Sequence, residues 1–141
     1  MAVERIAFVA MKYDDISTQT YLSRTRVYEV ICECLEEAGF SPIRGDKILS
    51  SGPSVDEVCN LMRTAPLVVI DTTGDSHSVS YELGYCHGVG RLPRDILLIR
   101  QDDGSTIPFN YRHYRHRTYS DLKHLRQLIR EWFGISSPLH G

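Results

Sequence analysis

The sequence predicts an α/β domain built on a doubly wound, mostly parallel sheet with helices on both faces. Three observations carry that prediction. The apolar runs Ile6 to Met11 and Leu67 to Ile70 are short and continuous, the pattern of strands covered on both faces. The segments between such runs carry apolar residues at helical spacing. Glycine and proline stand at the changeovers: Gly39, Gly45, Pro66, Gly88 and Pro93.

Taken in order, Ile6 to Met11 is a first buried strand, followed by a polar loop, Lys12 to Ser17. Thr25 to Ala38 is a helix because Val27, Val30, Ile31, Cys34, Leu35 and Ala38 recur on one face, and Gly39 stops it. Phe40 to Arg44 is a short second strand that ends in Gly45-Asp46, and a Ser/Gly/Pro loop follows from Ser50 to Pro53. Ser54 is the expected cap of a second helix, with Glu57 completing a capping box and Val55, Val58, Cys59 and Met62 forming its buried stripe. Pro66 opens the third strand, which ends at Asp71, and a helix follows from about Val79 to Gly88. Arg91-Leu92-Pro93 leads into a fourth strand, Asp95 to Arg100, and Gln101 to Tyr111 is a loop. Arg112 to Tyr119 is an edge-like fifth strand, and Asp121 to Phe133 is a last helix with Leu122, Leu125, Ile129 and Trp132 facing inward. About five strand and helix alternations imply a flavodoxin-like order in one domain, residues 1–134, with a tail at 135–141.

The 141 residues suit one domain with a real core. A formal charge of -2 gives no general attraction to nucleic acid or an anionic membrane. Cys32, Cys34, Cys59 and Cys86 show no metal-type spacing, so buried thiols in a reducing, cytoplasmic setting are expected, with no metal and no cofactor. No apolar stretch reaches membrane-spanning length, and the N-terminus MAVERIAFVAM lacks the basic lead of a signal peptide. Neither a G-x-G-x-x-G turn nor a P-loop follows the first strand, which disfavours the usual dinucleotide mode.

Ligands of open α/β sheets bind outside the carboxyl ends of the strands. The strand ending at Asp71 therefore gathers Asp71, Thr72, Thr73, Gly74, Ser76, Ser78, Tyr81 and Glu82 around one cleft, with Met11 and Tyr13 arriving from the first strand. Asp46, after the second strand, is placed to reach a ribose hydroxyl, although Arg44 to Lys47 reads equally well as a plain turn. Cleavage of an N-glycosidic bond passes through an oxocarbenium-like state and needs an anion below the sugar and a proton source near the base. Glu82 is the candidate anion, Asp71 the candidate proton donor if burial raises its pKa, and Tyr13 or Tyr81 the group that orients Glu82.

These same residues carry a resemblance. Ala7 to Met11, the Gly39 turn, Ala65 to Asp71 before a Thr-Gly loop, Ser78-Val79-Ser80-Tyr81-Glu82-Leu83-Gly84 with His87 a turn later, and Leu97 to Ile99 before Ile107-Pro108-Phe109 together resemble the nucleoside 2-deoxyribosyltransferase-like proteins and the neighbouring TIR-like proteins. The resemblance runs from about Arg5 to Trp132, and Tyr81 to Gly84 is its most specific piece. It implies that Glu82 attacks, or stabilises charge at, the anomeric carbon of a nucleoside or nucleotide while the base departs. Transferases of this kind carry an aspartate shortly before that glutamate; here the position is Ser76. A serine loop with free N–H groups favours a 5'-phosphate, so phosphorylated substrates are expected over free nucleosides, with NAD, nucleoside monophosphates and deoxynucleosides all open. The resembled transferases also borrow site residues from an adjacent chain, which implies a homo-oligomer with a shared site and Phe109 to Tyr119 as donor segment. The alternatives are a non-catalytic nucleotide sensor and a TIR-like oligomerisation module. His87 is read as a packed or surface residue, and the basic and aromatic alternation from Tyr111 to Tyr119 as a charged edge strand before a nucleic-acid grip.

Overall fold

The computed structural model describes residues 5–14, 21–45, 55–102, 104 and 115–135. Within them, five strands form one all-parallel sheet: β1 (Ile6–Ala10), β2 (Ser41–Arg44), β3 (Leu67–Asp71), β4 (Ile96–Gln101) and β5 (Arg117–Tyr119). Their spatial order is β2-β1-β3-β4-β5, the flavodoxin-like doubly wound order. Four α-helices accompany the sheet: α1 (Arg24–Glu37), α2 (Val55–Thr64), α3 (His77–Gly88) and α4 (Leu122–Trp132).

The pleat divides the core. Along β1, Ala7 and Val9 face α1 and α4 with Val27, Ile31, Leu35, Leu125 and Ile129. Phe8 and Ala10 face the other way, onto Val58 and Met62 of α2 and Val79, Leu83 and Cys86 of α3. Burial on both faces is why β3 is apolar without alternation, and all five of its residues are buried. Register runs Val9 opposite Val69 and Val69 opposite Leu97, so β1, β3 and β4 end together at one edge.

The stop of α1 follows from its glycine. Gly39 takes φ +90°, the Gly39 amide donates to the Glu36 carbonyl, and the Phe40 amide reaches back to Leu35 O at 2.9 Å, a Schellman closure that turns the chain into β2. At α4, Asp121 caps the helix by accepting from the His124 amide at 2.7 Å.

Several boundaries differ from the sequence reading. Helix α3 begins at His77, two residues earlier than Val79, with Ser76 as its N-cap residue. Asp95 closes a 3-10 turn, Pro93–Asp95, and β4 starts at Ile96. The fifth strand is confined to Arg117–Tyr119 within the described residues; Arg112 to Tyr114 lie outside them, as do Asp46, the Ser54 cap and the tail at 136–141. Among the described residues no helix is long and apolar enough to cross a membrane.

Candidate functional site

The strand order reverses between β1 and β3: β1 leads to α1 on one face, whereas β3 leads to α3 on the other. A crevice opens at that point, outside the carboxyl ends. It is a cleft of about 720 Å³ whose walls include Met11, Tyr13, Gly45, Ser76, Ser78, Tyr81 and Glu82. That volume is in the range of small-molecule sites.

Helix geometry explains the wall supplied by α3. Val79, Leu83 and Cys86 bury one stripe against the sheet, which leaves Ser78 and Glu82, one turn apart, together on the flank facing the cleft. The early start of the helix brings its N-terminus, with Ser76 and His77, to the same wall. Its first-turn N–H groups and dipole make that end receptive to an anion.

Glu82 is half-buried, and its carboxylate lies beside Gly45, the residue that follows β2. A Cβ added to Gly45 would stand 3.2 Å from Glu82 Oε2 and 2.8 Å from the Phe8 ring, so glycine is needed for this close approach. The Tyr13 hydroxyl donates to the Val9 carbonyl, and its ring meets Tyr28 edge-on and carries the Arg44 guanidinium over its face at 4.0 Å. The Tyr81 hydroxyl sits 3.8 Å from Cys59 Sγ, and its ring is largely exposed. Both tyrosines thus offer the cleft aromatic surface, while the hydroxyl contacts just described run to Val9 and Cys59.

Asp71 has a different setting. It is 1% exposed and is not among the cleft-lining residues. One oxygen accepts from Tyr119 Oη at 2.6 Å and from Arg24 Nη1 at 3.4 Å; the other accepts from the Thr73 amide at 2.8 Å and the Thr73 hydroxyl. Burial, and then the adjacent Asp71 carboxylate, push the Tyr119 phenol far above its ordinary range, so that it keeps its proton and donates it in this bond. Arg24 continues to Gln101 Oε1 at 3.2 Å. A second buried guanidinium, Arg100, donates to Thr72 O and to Asp75 Oδ1, both at 2.8 Å, and fixes the turn in which Gly74 and Asp75 take positive φ.

The structure therefore gathers Met11, Tyr13, Ser76, Ser78, Tyr81 and Glu82 at the cleft. Asp71 and Thr73 belong to the sealed network, Gly74 to the turn above it, and Asp46 lies outside the described residues. Lys12, Asp14, Gly45 and His77 also line the cleft and were not singled out from sequence. The turn-like Arg44-Gly45 pair at a strand end was a usable signal for Gly45. Arg24 carried none, being a charged residue buried through partners far away in the chain.

Among the described residues, no group of three or more His, Cys, Asp or Glu side chains is arranged to hold a metal. All four cysteines are free thiols. Compared with known proteins, the chain matches no family model and no curated protein.

Proposed function

We propose that the cleft between β1 and α3 binds a nucleotide or nucleoside and that Glu82 promotes cleavage of its N-glycosidic bond. The observation that carries this reading is a half-buried carboxylate held against Gly45 on the wall of a ligand-sized cleft at the switch point. With the sugar seated above it, the Glu82 oxygen faces the anomeric carbon. The bond from that carbon to the base nitrogen breaks, its electron pair leaves with the base, and the base takes a proton from solvent. Glu82 balances the positive charge left on the sugar, or bonds to it, until water or a second acceptor adds. Tyr81 and Tyr13 supply aromatic faces for the base, and the start of α3 at Ser76 and Ser78 receives a 5'-phosphate. Asp71 holds the strand ends in place. The free thiols suit a cytoplasmic site for the reaction.

The test is base release across NAD, nucleoside 5'-monophosphates and deoxynucleosides, run beside calorimetric binding of the same panel. Release that depends on Glu82, with the phosphorylated form bound more tightly than its nucleoside, supports the reading. Binding without release identifies a nucleotide sensor, and no binding removes the cleft from consideration. The cleft is open on its outer side, and a second copy of the chain would exclude water there. A homo-oligomer is therefore expected in sedimentation at micromolar concentration, with activity falling as dilution yields monomers.

A further inference from the structure

A second cavity, of about 850 Å³, lies at the β4–β5 edge of the sheet beside α4 and shares no lining residue with the cleft. Its shape follows from the shortness of β5, which pairs with β4 only from Ile99 onward. The described strands leave the edge of β4 at Ile96 and Leu98 uncovered, and these side chains form the apolar floor. One stripe of α4, His124, Leu128 and Glu131 at helical spacing, forms a wall, and Trp132 closes it.

The charge of this groove differs from that of the neighbouring flank of α4. Arg126 and Arg130 on the neighbouring flank of α4 are paired with Glu33 and Glu37. Arg94, Arg115 and Arg117 all line the groove, and none makes an ion pair or side-chain hydrogen bond among the described residues. They come from two separate segments, the 3-10 turn before β4 and the approach to β5. The groove's single acid, Glu131, already accepts from Gln127 at 3.1 Å. His124 Nδ1 accepts from the Ser120 amide at 3.1 Å, which leaves the ring proton on Nε2 as a donor. In a chain of net charge -2, three guanidiniums lining one groove with an indole suit an anion that also carries a flat apolar ring.

We propose that this groove binds a nucleoside polyphosphate, with the phosphates on Arg94, Arg115 and Arg117 and the base against Trp132. The three guanidinium charges exceed the roughly two negative charges of one phosphate, and the floor of Ile96 and Leu98 offers nothing to a bare inorganic anion. The volume suits a small molecule. Occupancy here is independent of the chemistry at Glu82.

Trp132 is the only tryptophan in the chain and lines this groove and a smaller adjoining cavity but not the cleft, so its fluorescence separates occupancy on this side from occupancy of the cleft, and the arginine substitutions below assign it to the groove. Titration of the intact protein with ATP should quench it saturably, whereas adenosine and inorganic tripolyphosphate, each lacking half of the ligand, should bind at least about tenfold more weakly. Raising the salt concentration should weaken ATP. The exposed pair Arg115→Gln and Arg117→Gln should raise the ATP dissociation constant about tenfold or more with an unchanged melting curve. Glu82→Gln should leave the titration unaltered, which separates this site from the one proposed above. Absence of saturable quenching, indifference to the arginine substitutions, tripolyphosphate binding as tightly as ATP, or an oligonucleotide binding more tightly than ATP would each overturn the proposal.

Discussion

Asp71 and Glu82 stand at the same carboxyl edge of the sheet in opposite surroundings. Asp71 is closed in by Arg24, Tyr119 and Thr73, and its side chain has no exposed surface. Glu82 is half-buried, and its carboxylate borders a cleft of about 720 Å³. A buried carboxylate with several hydrogen-bond donors is fixed in position, whereas one beside an open cavity is accessible to a small molecule. Placement at the strand end is thus insufficient to expose an acid to the cleft: Asp71 turns into the sealed network, and Glu82, carried by the following helix, borders the cavity.

The largest effect that would test this contrast is on stability. Asp71→Ala should destabilise the fold by about 3 to 5 kcal/mol, because the buried Arg24 guanidinium and the Tyr119 hydroxyl lose the carboxylate they pair with. Replacing both partners, Arg24→Met with Asp71→Leu, should recover part of that loss in urea denaturation. A single-variant loss under 1 kcal/mol would show that the network does not hold the edge.

Glu82→Gln should do the reverse. Base release should fall by about two orders of magnitude or more, about 2.7 kcal/mol on the barrier, while the melting curve stays in place. Activity within a few-fold of the parent would remove Glu82 from the chemistry.

Gly45→Ala probes the boundary between the two regions. Its new methyl group presses on the fully buried Phe8 ring at 2.8 Å and on Glu82 at 3.2 Å. A loss of about 1 to 3 kcal/mol is expected, together with a fall in turnover larger than the stability loss explains. Unchanged turnover would mean that the carboxylate position tolerates displacement.

The smallest effect is the pH response of Cys86, whose thiol burial raises from an ordinary value near 9.0 to about 11. The folded state holds this proton more tightly than the unfolded chain, so its contribution to stability is complete below pH 9 and is lost as pH rises towards about 11. Denaturation midpoints measured across that window should fall, and Cys86→Ala should flatten the decline. At pH 8, alkylation of native protein should spare the buried Cys86 and mark the half-buried Cys32 and Cys59.

The fold was legible wherever one face of an element repeats. Val27, Val30, Ile31, Cys34 and Leu35 are all buried as their spacing implied, and the run Leu67 to Ile70 is the central strand. Reading failed where long-range partners replace periodicity. Leu128 is buried beside Leu125 and Ile129 although the expected stripe omitted it, since the sheet covers a broader arc of α4. The alternation before Tyr119 looked like a longer strand, yet described pairing covers only Arg117–Tyr119. At the site, Ser78 and Glu82 were legible from their spacing after a buried strand. The sealing of Asp71 was not, because Arg24 and Tyr119 lie 47 and 48 positions away and nothing local marks them.

Those separations also set an order of events during folding. Strands β1 and β3 with their helices can collapse on apolar contacts alone, but the Asp71 carboxylate acquires its phenol donor only when β5, near the end of the chain, docks beside β4. The carboxyl edge is therefore completed late, once β5 has docked. On the ribosome the nascent domain must wait for Tyr119 to emerge, and until then the Asp71 carboxylate lacks the phenol donor that it has in the finished protein.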